Sequence, residues 1–105
     1  LKNSLPDHDS VTLSADGKTL FLAGQLSFAN AKKVHHEFCG LMNRGVEQID
    51  CCRLEHADST ALALLLTAAG MTDSEQRELK IHGLSSHLVS LADVYGIDEL
   101  LNIVS

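Results

Sequence analysis

Asp50-Cys51-Cys52-Arg53-Leu54-Glu55-His56-Ala57-Asp58-Ser59-Thr60-Ala61-Leu62-Ala63-Leu64-Leu65-Leu66-Thr67-Ala68-Ala69-Gly70 changes character twice along its length. Ile49 to Leu54 is short and apolar enough to be a strand inside a sheet. Asp58-Ser59-Thr60 then gathers three small oxygen-bearing residues of the kind that cap helices. Ala61 to Ala69 holds only good helix formers and one Thr. The reading is strand, tight polar turn, hydrophobic helix. It places a carboxylate and two hydroxyls at the positive end of a helix, where a rigid scaffold commonly displays a site.

On a helical wheel Leu62, Leu65, Leu66 and Ala69 form one stripe, expected to face the sheet. Leu64 points nearly opposite, with Ala61 and Ala68 to one side of it and Ala63, Thr67 and Gly70 to the other. A solvent-facing helix would carry charge there, and this one carries none. Two explanations stand: another element of the same domain covers that face, or a partner does. The second makes Leu64 an exposed anchor ringed by small residues.

Asp50, seven intervening residues and then Asp58-Ser59-Thr60-Ala61-Leu62 resemble the signature of STAS domains, the family of anti-sigma-factor antagonists and sulfate-transporter tails. Leu62-Ala63-Leu64-Leu65-Leu66 is most similar to the MlaB-like branch, subunits of phospholipid ABC transporters that maintain lipid asymmetry. The likeness runs from about Val11 to the end. Ala61 departs from it, standing where the family usually has Gly. The resemblance implies a non-catalytic cytoplasmic module, held peripherally at the inner membrane through the transporter ATPase it binds. The alternative it implies is an antagonist that sequesters an anti-sigma-factor kinase. In phosphorylated antagonists the modified hydroxyl matches Thr60. In MlaB-like proteins the functional hydroxyl matches Ser59. Partner binding and regulation are therefore expected at Asp58, Ser59, Thr60, Ala61, Leu64, Thr67 and Ala68, with Thr60 and Ser59 the phosphorylation candidates.

The chain has 105 residues, which suits one domain with its own core. Residues 1–10 are polar, hold the only Pro and read as a loose leader; residues 11–105 form the domain. Hydrophobic residues make up 45% and aromatic ones only 4%, with no Trp, so the core must be aliphatic. The net charge of −6 argues against nucleic acid and against adhesion to anionic lipid, and favours a basic partner surface. No apolar run is long enough to cross a bilayer. Three Cys, two of them adjacent, make no disulfide framework and fit a reducing compartment.

Val11-Thr12-Leu13 and Thr19 to Ala23 read as strands joined by a hairpin turn at Asp16-Gly17. Gly24-Gln25-Leu26 is expected to leave the second strand. Ser27 or Asn30 can cap a helix carrying Ala31, Val34, Phe38 and Leu41, which stops at Asn43-Arg44-Gly45. Glu78 to His82 alternates like a strand with one buried face. Ser85 or Ser86 caps a third helix with Leu88, Leu91, Ala92 and Tyr95, stopped by Gly96. Ile97 to Val104, with Leu100 and Leu101, is expected to be a closing helix. The order β-β-α-β-α-β-α-α predicts an α/β fold, a mixed sheet with helices packed on one or both sides. The STAS resemblance implies the same fold.

No catalytic or metal constellation competes. His35 and Cys39 share a helix face without a second ligand pair. There is no Cys-x-x-Cys, no phosphate loop with a lysine, and no nucleophile elbow around Ser59 despite the nearby His56. A packed Cys and surface histidines are the ordinary reading, and His82 and His87 are given no role. No cofactor or metal is expected.

Overall fold

A computed structural model describes residues 10–27 and 29–104. Strand β1, Ser10–Leu13, pairs antiparallel with β2, Thr19–Leu26, across the turn at Asp16-Gly17. Helix α1, Ala31–Met42, leads to β3, Gln48–Ala57. Helix α2, Ser59–Ser74, leads to β4, Lys80–His82. Helix α3, Ser86–Val94, and a single 3₁₀ turn, Asp98–Leu100, lead to β5, Ile103–Val104. The sheet order is β1-β2-β3-β4-β5, and every pairing after the first is parallel. This is the mixed-sheet α/β fold expected from the chain.

Each parallel connection steps the same way along the sheet, so right-handed crossovers put all three helices on one face. Burial agrees with that. Leu20, Leu22 and Leu26 of β2, Ile49 and Cys51 of β3 and Ile81 of β4 are buried. Their neighbours Thr19, Phe21, Ala23, Asp50 and His82 point to the other face and are only half covered. There Arg53 lies over the Phe21 ring at 5.0 Å, a cation–π contact on the helix-free side.

Three expectations are corrected. The closing helix over Ile97–Val104 is instead the 3₁₀ turn followed by β5. Leu101 is extended and buried, and Ile81 donates its N–H to the Asn102 carbonyl, completing what would otherwise be an open edge on β4. The run Ile97, Leu100, Leu101, Val104 has helical spacing by coincidence of a turn and a strand. Second, Gly24 does not end β2. The strand continues to Leu26 through a register shift beside Gly24, whose φ is 80°. Third, His82 is not an ordinary surface histidine: β4 lies between β3 and β5, and the His82 Nε2 is buried without a hydrogen bond among the described residues. The expected leader lies outside the described residues except for Ser10, which begins β1.

The face assigned to α2 is also corrected. Ala61, Leu64 and Ala68, expected at the surface, are buried along with Leu62, Leu65 and Thr72. The reason is lateral packing. Helix α2 is the middle of the helical layer and contacts α1 on one flank and α3 on the other. The buried arc is therefore wide: Ala61, Leu65, Ala68 and Thr72 lie at its centre, with Leu62 and Leu64 on its two flanks. Leu66 and Ala69, placed in the inward stripe, are half-buried.

Candidate functional site

The polar turn between β3 and α2 forms as its residues dictate. Asp58 is the N-cap in extended conformation, and its Oδ1 accepts the Thr60 N–H at 2.8 Å. The Asp58 carbonyl accepts the Ala61 N–H at 2.9 Å, the first bond of the helix. The Asp58 N–H donates to the Leu26 carbonyl at 3.3 Å, tying the turn to the end of β2. The adjacent turn into α1 is braced in the same way: the Asn30 side chain donates to the Gln25 carbonyl at 2.7 Å and accepts the Ser27 N–H at 3.0 Å. Asn30 thus occupies the cap position of α1 while its side chain serves the loop before it.

Ser59 is exposed and Thr60 half-buried, so the two hydroxyls are not equivalent. Thr67, one face along, is half-buried and donates its hydroxyl to the Ala63 carbonyl at 3.1 Å. Ser59, Ala63 and Gly70 define the exposed crest of α2, with Leu66 and Thr67 at its sides. The crest is free of charge as far as Gly70, beyond which Asp73 is exposed, and Leu64 does not lie on it. Of the residues expected to bind a partner, Asp58, Ser59, Thr60 and Thr67 reach the surface. Ala61, Leu64 and Ala68 belong to the core.

Beside the turn is a hollow of ≈ 540 Å³ whose lining includes Ser27, Glu55, His56, Asp58, Ser85 and His87. Ser85 caps α3, accepting the Leu88 N–H at 3.2 Å. Sequence spacing missed this company. Parallel strands bring their carboxyl ends together, so the segments after β2, β3 and β4 meet at one end of the sheet. That rule, applied to the strand order, is the signal that would have gathered Ser27, Asp58, Ser85 and His87. His56 makes no hydrogen bond to Ser59, so the two do not form a nucleophile–base pair.

The thiols are poorly placed for chemistry. Burial pushes the Cys51 thiol up to about 12, helped by the Asp50 and Cys52 charges. A hydrogen bond with Asp50 raises Cys52 above its ordinary value as well. Both stay protonated where a nucleophile needs to be thiolate. The His35 Nε2 stands 3.7 Å from the Cys39 Sγ on α1, and no group of three metal-ligating side chains occurs among the described residues. No described helix is long and apolar enough to cross a membrane.

Residues 10–104 match the family model described as the MlaB STAS domain. No curated protein sequence matches the chain. Among solved structures, an anti-sigma factor antagonist from Mycobacterium paratuberculosis superimposes with a TM-score of 0.71 at 16% identity, covering 94% of this chain and 89% of that one. The Bacillus anti-sigma factor antagonist SpoIIAA superimposes in its unphosphorylated form with a TM-score of 0.66 at 16% identity, over 91% and 89% of the two chains. Its phosphorylated form gives 0.63 at 13% identity, over 91% and 90%. At these identities the likeness is one of fold.

Proposed function

This chain belongs to the MlaB STAS-domain family, and from that premise we propose that it is a non-catalytic cytoplasmic subunit of a phospholipid ABC transporter. It docks on the transporter's nucleotide-binding ATPase, which it stabilises or regulates, and is held at the inner membrane only through that partner. The position of Ser59 carries the proposal. It follows the capping Asp58 directly, is exposed, and starts an uncharged crest that continues through Ala63 to Gly70. Small uncharged residues let a partner backbone come close, and the cap holds Ser59 in a fixed place on the scaffold. Thr60, the residue an anti-sigma switch would modify, is half-buried and donates its backbone N–H to the cap.

Co-purification with the ATPase tests the reading. The wild-type chain should elute with it, and Ser59→Glu should weaken the complex while the isolated chain melts normally. An acidic residue near a helix start suits the dipole, so lost binding would not signal unfolding. A phosphate on Thr60 after incubation with an anti-sigma kinase and ATP, read by intact mass, would replace this function with sigma-factor regulation.

A further inference from the structure

Along the second half of α2, from Leu66 to Asp73 and so about 10–21 Å from Ser59 by helical rise, lies a second hollow of ≈ 700 Å³. It opens between the last turns of α2, the segment before β4, and the 3₁₀ turn. Its floor is apolar: Leu66, Ala69, Leu79 and Leu101. At its lip Leu100 is 65% exposed, unusual for a leucine in a chain with so little exposed large apolar surface. Gly70 forms part of the wall, and a side chain there would meet no atom within 4 Å.

The rim is acidic. Asp73, Glu78, Asp98 and Glu99 line it, and no described cation lies within ion-pairing distance of any of them. Arg77 is the one basic side chain in the lining, and its charge is already used. It donates to Glu75 through Nε at 2.8 Å and Nη2 at 2.6 Å, and through Nη1 to the Val46 carbonyl at 2.8 Å. The lining thus carries a formal excess of three negative charges around an apolar trough, with its one guanidinium already engaged.

We propose that this groove is a docking site for a basic amphipathic segment of a partner protein, its apolar side chains on Leu66, Ala69 and Leu100 and its lysines or arginines facing the carboxylate rim. Charge complementarity selects this occupant. Carboxylates repel an anionic lipid surface, which is also too flat to enter a concavity. A purely cationic ligand would leave the apolar floor wet. A short segment, rather than a domain face, fits a trough of this size. The groove shares Leu66 and Gly70 with the far end of the crest, but Ser59 and Ala63 lie outside its lining, so a variant at Ser59 separates this reading from the docking of the crest on an ATPase.

The test uses the whole chain, isotope-labelled, titrated with a short amphipathic helical peptide of leucine and lysine. Amide shifts should move at Leu66, Gly70, Leu100 and Asn102, and binding should weaken with added salt. Gly70→Arg fills the trough and supplies the missing charge. Asp73→Lys with Glu99→Lys reverses the rim at exposed positions. Each should weaken binding about tenfold or more while the spectrum stays folded, the loss expected when interface charges are made like. Ser59→Glu should leave it unchanged. The proposal fails if the peptide shifts nothing at millimolar concentration, if the shifts centre on Ser59, or if neither groove variant weakens binding. It fails equally if a glutamate-for-lysine peptide or a lysine-only peptide binds as well.

Discussion

Gln76 and Gly83 both adopt positive φ, and substitution at the two should move stability in opposite directions. Gln76, at φ 59°, sits just past the end of α2. The Arg77 N–H reaches the Thr72 carbonyl at 2.8 Å and the Gln76 N–H reaches Asp73 at 2.9 Å, the bonding pattern in which glycine is favoured. Gln76→Gly relieves the left-handed strain, offset in part by a freer unfolded chain, so urea melts should show a gain of about 0.5–1 kcal/mol. Gly83, at φ 73°, is pressed on β3: a Cβ there would meet the Cys52 Sγ at 2.3 Å and the Cys52 backbone N at 2.8 Å. Gly83→Ala should cost about 2–4 kcal/mol from backbone strain and overpacking together. Adding Cys52→Ala should not restore it, because the backbone contact remains. Full rescue by the double variant would show that the thiol alone is the obstacle.

At the level of elements, the first four strands and three helices were legible because alternation, caps and glycine stops agreed locally. The inward face of α2 was not. Its residues are apolar or small all round, so periodicity could not say which side faced in. Ala61, Ala68 and Thr72 carry little hydropathic weight yet lie at the centre of the buried face, with Leu62 and Leu64 to either side. The same limit governs β5, two residues that become a strand only by pairing with β4. Leu64 gives the sharp test. It is 4% exposed, Leu65 0%, and Ala63 lies on the crest. Leu64→Asp should unfold the domain as fully as Leu65→Asp, since either buries an unpaired charge. Leu64→Ala should cost about 2–5 kcal/mol. Ala63→Asp should change stability by less than about 0.5 kcal/mol and still break the proposed complex with a transporter ATPase. If Leu64→Asp melts like wild type, the packing of α2 between its neighbours is wrong.

Across the whole molecule, one core of mostly aliphatic side chains around Phe38 lies between the sheet and a single helical layer, and neither a disulfide nor a group of three metal-ligating side chains occurs among the described residues. Thermal melts with chelator or reductant should therefore superimpose on melts without them, and a large drop with either would reveal a hidden metal or disulfide. The buried thiol in that core sets an alkaline limit. Cys51 is 3% exposed, and its thiol is pushed from an ordinary 9.0 up to about 12. In the unfolded chain the thiol ionises near pH 9, while in the fold it keeps its proton almost three units longer. The folded state then binds more protons than the unfolded one, so stability is lost as pH rises through that window, and none is lost below it. The slope is about 1.4 kcal/mol per pH unit from this one group. Cys51→Ala removes the titrating thiol and leaves the alanine to fill most of the same space. The stability of the wild type relative to Cys51→Ala should be constant from pH 7 to the ordinary value of 9.0 and then fall steadily toward about 12. Parallel curves for the two chains through that range would mean that the thiol is reached by water and that this part of the core opens before the rest.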